Sequence, residues 1–335
     1  MQNLLPILFL TITFSLFGQE HQLRKVNTNT TATFRGLSIV DNDVAWLSGT
    51  KGSVGITKDG GSTWTFNQVN GFETADFRSL YAFDGQHAII ANVGSPASIL
   101  MTDDAGKTWK PVYINSHKDA FIDGVDFWNG KDGIMYGDPI DGKMLLLRTT
   151  DRGLTWAAIP SSPLLKTGEA SFAASGTGIR CTDKHEVTIA TGGIVSRLWR
   201  STDKGDHWSE TNVPIVQGQS TTGIFSIVKT GKTWIVVGGD FKNETLDRDH
   251  HFYSTDGGSR WLAPAVPIRG YRECVELVAK DILIATGPSG TDISHDNGIT
   301  WKALSDERGL HVVRKARKGS LVMAAGDKGM IYIVH

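Results

Sequence analysis

The sequence predicts an all-β fold, a seven-bladed β-propeller whose ring is closed by its N-terminal strand. Three observations carry that expectation. An eight-residue string ending in tryptophan recurs at blade-length intervals, short strands rather than helical periodicity surround each copy, and the two chain ends hold complementary parts of one more blade.

The string opens as TKDGGSTW (Thr57 to Trp64). It returns as TDDAGKTW (Thr102 to Trp109), TTDRGLTW (Thr149 to Trp156), STDKGDHW (Ser201 to Trp208), STDGGSRW (Ser254 to Trp261) and SHDNGITW (Ser294 to Trp301). Its pattern is Ser or Thr, any residue, Asp, any residue, Gly, any residue, usually Ser or Thr, then Trp; His207 and Arg260 replace the hydroxyl in the fourth and fifth copies. Successive tryptophans lie 45, 47, 52, 53 and 40 residues apart, the length of one four-stranded blade. An aspartate in such a turn accepts backbone N–H bonds and locks the hairpin. The glycine takes the left-handed conformation that other residues resist, and the tryptophan packs between neighbouring blades. This assigns Asp59, Asp103, Asp151, Asp203, Asp256 and Asp296, with Trp64, Trp109, Trp156, Trp208, Trp261 and Trp301, to structure rather than catalysis.

Around the first copy, FRGLSIV, VAWLSGT, SVGIT and TWTFNQV read as four strands joined by turns. The last segment, GLHVVRKARKGSLVMAAGDKGMIYIVH, supplies three more strands and stops where a seventh string would stand. Val26 to Phe34 repeats the interval Val69 to Phe77, so the N-terminal segment is expected to supply the missing outer strand and seal the open edge.

The chain has 335 residues, 38 glycines and a net charge of −1, which suits a turn-rich fold and gives neither a nucleic-acid footprint nor a polybasic membrane patch. RKARK (Arg314 to Lys318) reads as a solvated turn. Leu4 to Phe17 is apolar and uncharged, too short to span a bilayer comfortably, and is followed by Gly18. It predicts a cleaved signal peptide over residues 1–18, although its leading residues lack a positive charge. The expected product is a periplasmic or secreted monomeric propeller over residues 19–335, without stable membrane insertion. Cys181 and Cys274 form either one disulfide or two buried thiols. The sequons at Asn29 and Asn243 are common by chance. No Gly-rich phosphate loop, zinc spacing or nucleophile elbow occurs, so neither cofactor nor metal is expected.

With the string's turn between strands three and four, the start of strand one and the loop between strands two and three share the opposite face. Phe34-Arg35, Phe77-Arg78 and Tyr271-Arg272 begin inner strands of blades one, two and six. Arg35, Arg78 and Arg272 are therefore expected to converge at the channel mouth as a site for a carboxylate-bearing ligand or partner surface. Asp138, Asp240 and Glu169 belong to the same face. Together with Asp123, Glu273 and Asp327 they are the acids that could instead pair with the arginines in an internal ring. Two segments depart from the repeat: GEASFAASGTGIRC (Gly168 to Cys181), and GGDFKNETLDRDHH (Gly238 to His251), a long loop expected to be solvated. In the latter, His250, His251, Asp247 and Asp249 suggest a metal only weakly, because consecutive strand residues face opposite ways.

The six strings resemble the Asp-box (BNR) repeat of sialidases, other glycoside hydrolases, sortilin-type receptors and the photosystem II assembly factors of the Ycf48 and HCF136 kind. The opening NTNTTATFRGLSIVDNDVAWLSGTKGSVGITKDGGSTW looks like the N-terminal blade of the last group, and GEASFAASGT, GGDF, GYRECVE and GPSGTD look like a bacterial branch of it. That resemblance implies a non-catalytic protein-binding or assembly scaffold, with Arg35, Arg78 and Arg272 as the positions most like the family's arginine patch. A glycoside hydrolase is the alternative. Against it, a tyrosine nucleophile, its glutamate helper and a separate aspartate cannot be assigned. A redox enzyme lacks both a cofactor motif and a useful cysteine pair.

Overall fold

The computed structural model describes residues 21–335; the expected signal peptide lies outside them. The chain forms seven antiparallel sheets whose inner strands pack side by side around a ring until the seventh meets the first. Blade one runs from the axis outward as Phe34–Ile39, Ala45–Gly49, Ser53–Thr57 and Thr65–Gln68. The inner strands of blades two to seven begin at Phe77, Ile122, Ile179, Thr222, Cys274 and Leu310. Among the described residues there is no α-helix, only a 3-10 turn at Asp327–Gly329.

Closure follows the expected route. Blade seven takes Leu310–Lys315, Val322–Gly326 and Ile331–Val334 from the C-terminal end, and Leu23–Val26 pairs antiparallel with Ile331–Val334 as its outer strand. Both ends of the chain thus share one sheet, and blades seven and one share one apolar core in which Val26, Leu37, Val312 and Ile331 are buried. The edge of Ile331–Val334 that would otherwise lie open at the seam is covered by the other end of the chain.

The repeated string is a lock centred on its aspartate side chain. In the first copy Thr57 Oγ1 donates to Asp59 at 2.8 Å and accepts from the Gly61 N–H at 2.9 Å. Asp59 in turn accepts from Thr63 N at 2.8 Å and Thr63 Oγ1 at 2.6 Å. Those bonds, led by the Thr63 hydroxyl, hold the Asp59 carboxyl down to about 2. In the fourth copy His207 Nδ1 takes over the hydroxyl's place, 2.7 Å from Asp203. The second copy corrects one sequence assignment. Asp104, not Asp103, binds Thr102 and Thr108, whereas Asp103 is an exposed neighbour 3.7 Å from Lys110. The string TDDAGKTW offers two adjacent aspartates, and only the third position is at hydrogen-bonding distance from both hydroxyls.

The glycine serves two needs at once. Gly153 has φ +86°, and a Cβ there would lie 2.1 Å from Ile89 Cδ1 of blade two. The tryptophans wedge into the core shared with the preceding blade: Trp109 meets Trp46 of blade one edge-on at 6.3 Å, and Trp156, edge-on to Phe127 of its own blade at 6.2 Å, packs in the core that holds Ile89 and Ile99 of blade two.

Blade five is irregular. Its outer strand shrinks to a bridge between Tyr253 and Leu262, while Glu169–Ala170 and Gly192–Gly193 join its inner edge. The segment before blade four therefore crosses towards blade five over the mouth of the channel. Cys181 and Cys274, in blades four and six, are free thiols.

Candidate functional site

A repeated β-bulge sets the mouth of the channel. Strand pairing skips one residue between Phe34 and Gly36, Phe77 and Ser79, Ile122 and Gly124, Ile224 and Ser226, and Leu310 and Val312. The skipped residues are Arg35, Arg78, Asp123, Phe225 and His311. A bulge leaves its extra residue out of the ladder and re-aims its side chain. Arg35, Arg78, Phe225 and His311 accordingly line one cavity of about 400 Å³.

Blade six fits the same frame with a shift of one residue from the sequence reading. In blade one, a Cβ on Gly49 would meet Thr33 O and Phe34 Cα; in blade six, one on Gly287 would meet Tyr271 O and Arg272 Cα. Arg272 thus stands where Phe34 stands, and Glu273 takes the place of Arg35. Arg272 is 0% exposed, with Nε donating to Asp292 at 2.9 Å and Nη1 donating to Tyr271 O and Ser289 Oγ, both at 2.8 Å. Arg35 and Arg78 do reach the mouth, and Arg272 does not join them there.

Both remaining arginines are partly spent. Arg35 Nη1 donates to Glu273 at 2.6 Å and to Ala174 O at 2.8 Å. Arg78 Nε donates to Asp76 at 2.7 Å, and its side chain is 31% exposed. Among the described residues, Nε and Nη2 of Arg35 and Nη2 of Arg78 have no hydrogen-bond partner. Each arginine is anchored on one side and retains donors on another.

Glu273 continues the chain of charges. Its Oε2 lies 2.8 Å from His311 Nδ1, and His311 Nε2 lies 3.0 Å from Asp327, which also accepts from Thr33 Oγ1 at 2.9 Å. Burial opposes the charge on His311, but Glu273 and Asp327 outweigh it and raise its pKa. The His311 contact brings Asp327 down to about 2. Burial would raise Glu273, yet Arg35 and His311 hold it below the usual carboxylate range.

The cavity's other wall is aromatic: Phe172 and Phe241 come from the two segments that break the repeat, Phe225 from the bulge of blade five and Tyr271 from the start of blade six. Phe172 stacks on Phe225 with centroids 3.8 Å apart, and Phe241 stands edge-on to both at 6.3 Å. Tyr271 meets Phe225 edge-on at 4.8 Å, and Glu244, bonded to Arg308 at 2.9 Å, closes the rim.

A family model described as photosynthesis system II assembly factor YCF48 matches residues 18–119 and 93–231, and a BNR/Asp-box repeat model matches residues 292–303. The chain belongs to the YCF48 family. Photosystem II stability/assembly factor HCF136 of Arabidopsis thaliana is 31% identical over 116 residues, which is 34% of this chain and 27% of that protein. The chain therefore spans less than a third of the length of this curated relative. A solved structure of YCF48 bound to a D1 peptide superposes with TM-score 0.65 at 16% identity, over 95% of this chain and 97% of that one. A GH74 enzyme from Niastella koreensis reaches TM-score 0.63 at 14% identity, over 93% of this chain and 53% of that one. Likeness at those identities establishes the propeller and does not separate binder from hydrolase.

Most of the other residues singled out in the sequence lie away from this cavity. Glu169 is buried, ion-paired with Arg197, and accepts from Thr191 Oγ1 at 2.7 Å, so it pins the crossing segment. Asp138 does the same by accepting from Ser171 N at 2.9 Å; burial raises its pKa. Asp240 accepts from Lys242 N at 2.9 Å within its own loop. Asp123 is fully buried with neither oxygen bonded among the described residues, and burial followed by Asp138 raises its pKa well above the ordinary value. The polar loop of blade five is exposed over much of its length, but His250 and His251 at its end are buried instead of solvated. Burial lowers His251 to about 3, and no group of metal-holding residues forms among the described residues. Tyr271 and Glu273, two apart, fall on one side, with the Tyr271 hydroxyl donating to Glu273 at 3.2 Å. Phe172, Phe225 and Phe241 were not separable from core aromatics by sequence; the usable signal was that two of them sit in the non-repeating segments.

Proposed function

We propose that this chain is an exported, non-catalytic propeller that binds a protein partner through the channel mouth, with Arg35 and Arg78 receiving a carboxylate. The observation that carries the reading is the pair of arginines aimed by equivalent bulges into one cavity with unused N–H groups. Anchoring on Glu273 and Asp76 limits the entropy lost when those guanidiniums bind. The solved YCF48 bound to a D1 peptide supports a peptide-like ligand, and the apolar run Leu4 to Phe17 supports export.

Hydrolysis fits less well. A glycosidase needs a protonated acid and a second free carboxylate roughly 5–10 Å away. Here Asp327 is held to about 2 and Glu273 is depressed, so both are ionised near neutrality and both are already paired. Burial and Glu273 raise the Tyr271 hydroxyl, which opposes its use as a nucleophile.

The test pairs Arg35→Ala with Arg78→Ala and measures affinity capture from the source cell's extract against the wild type, with near-UV circular dichroism as the folding control. The reading expects capture to fall while the spectrum is kept. An unchanged set of captured proteins sinks it, as does turnover of a sialoside or β-glucan panel that survives repurification.

A further inference from the structure

The aromatic half of the mouth has no role in the arginine reading. Phe241 is 43% exposed, on a loop whose neighbours are polar. Single exposed apolar residues are ordinary, but this one stands at right angles to the stacked pair Phe172 and Phe225. The three rings form an inside corner opening on the same cavity as Arg35 and Arg78. The corner and the arginines are tied together through backbone, since Arg35 donates to Ala174 O, two residues from Phe172. A volume of about 400 Å³ accommodates an aromatic side chain and a neighbouring residue.

The charges that line the mouth balance one another. The lining chain Arg35, Glu273, His311 and Asp327 is neutral when His311 is protonated, Arg78 is offset by Asp76, and Glu244 by Arg308. A balanced mouth gives little steering to a highly acidic ligand. It offers one short charged contact at the unused arginine donors and apolar area beside it. We propose that the mouth takes a peptide segment in which an aromatic side chain lies beside a carboxylate, the ring entering the corner of Phe172, Phe225 and Phe241 and the carboxylate meeting Arg35 and Arg78. This rests on the protein-binding reading of the same site and adds the ligand's chemistry. A ring in that corner meets one wall face-on and the other edge-on, the two arrangements aromatic pairs prefer.

Calorimetric titration with four terminally blocked hexapeptides, holding Glu-Phe, Glu-Ala, Gln-Phe or Gln-Ala at their centre, tests it. A fifth peptide ends in phenylalanine and is used as free acid and as amide, so that a chain-end carboxylate is distinguished from a side-chain one. The expected result is that Glu-Phe, or the free acid of the fifth peptide, binds about tenfold or more tightly than its partner lacking either group. Phe241→Leu, at an exposed position where the fold is not at stake, should erase the advantage of phenylalanine over alanine. Equal binding of Glu-Phe and Glu-Ala overturns this proposal while leaving the arginine reading standing. Equal binding of Glu-Phe and Gln-Phe together with equal binding of the fifth peptide's free acid and amide, or no binding by any peptide, overturns both.

Discussion

Replacing Arg272 with alanine separates a structural arginine from a functional one. The guanidinium is fully buried and makes bonds of 2.8–2.9 Å to Asp292, Tyr271 O and Ser289. Removing one partner of a buried pair costs roughly 3–5 kcal/mol, chiefly because the other charge is left without compensation. Asp292 retains a second partner, since Arg269 Nε donates to it at 2.7 Å. That puts the expected loss near the lower end, about 3 kcal/mol. Urea unfolding followed by tryptophan fluorescence reads the shift in midpoint, and the folded fraction should bind its partner as the wild type does. A loss within about 0.5 kcal/mol, the range of an ordinary surface change, together with abolished binding, would refute the reasoning and return Arg272 to the site.

The second string gives an internal control: Asp104→Ala should lower stability by about 1 kcal/mol, as loss of a capping-type carboxylate does, whereas Asp103→Ala should leave the thermal midpoint unchanged. At the mouth, the raised His311 pKa contributes stability that is fully present below the ordinary histidine value of 6.5 and is lost as pH rises through the higher folded value. Thermal melts of the wild type should therefore fall on going alkaline from that point, and His311→Gln should remove that slope; parallel slopes in the two proteins would contradict it.

The architecture was legible because each string carries its own register. A hydroxyl, an aspartate two residues on and a glycine two further can satisfy one turn geometry only, so the copies count blades and fix which face each loop takes. The mouth was harder to read because its organiser is a bulge. Phe34-Arg35 and Tyr271-Arg272 look alike as dipeptides, yet the ladder skips a residue after Phe34 and places Glu273 at the equivalent point of blade six. No alternation rule shows where a strand gains that residue. Asp103 and Asp104 differ in position within their string: only Asp104 lies two residues after the hydroxyl and two before the glycine, and the hydrogen bonds fall on it. The buried pair His250 and His251 lies in a stretch whose polarity promises solvent, but Ile268 O and Trp301 pack against it from the following segments. Phe172 and Phe241 were signalled only by the length and composition of the segments that carry them.

The most direct test of the channel mouth as the binding surface is photo-crosslinking. A photoreactive benzoylphenylalanine replaces Phe241 at the mouth in one protein and Lys58, on the face of the repeated string, in another. Irradiation in the source cell's extract should yield protein adducts from position 241, reduced by Arg35→Ala and Arg78→Ala, and few from position 58. Adducts that form equally from both faces, or from position 58 alone, would contradict the account.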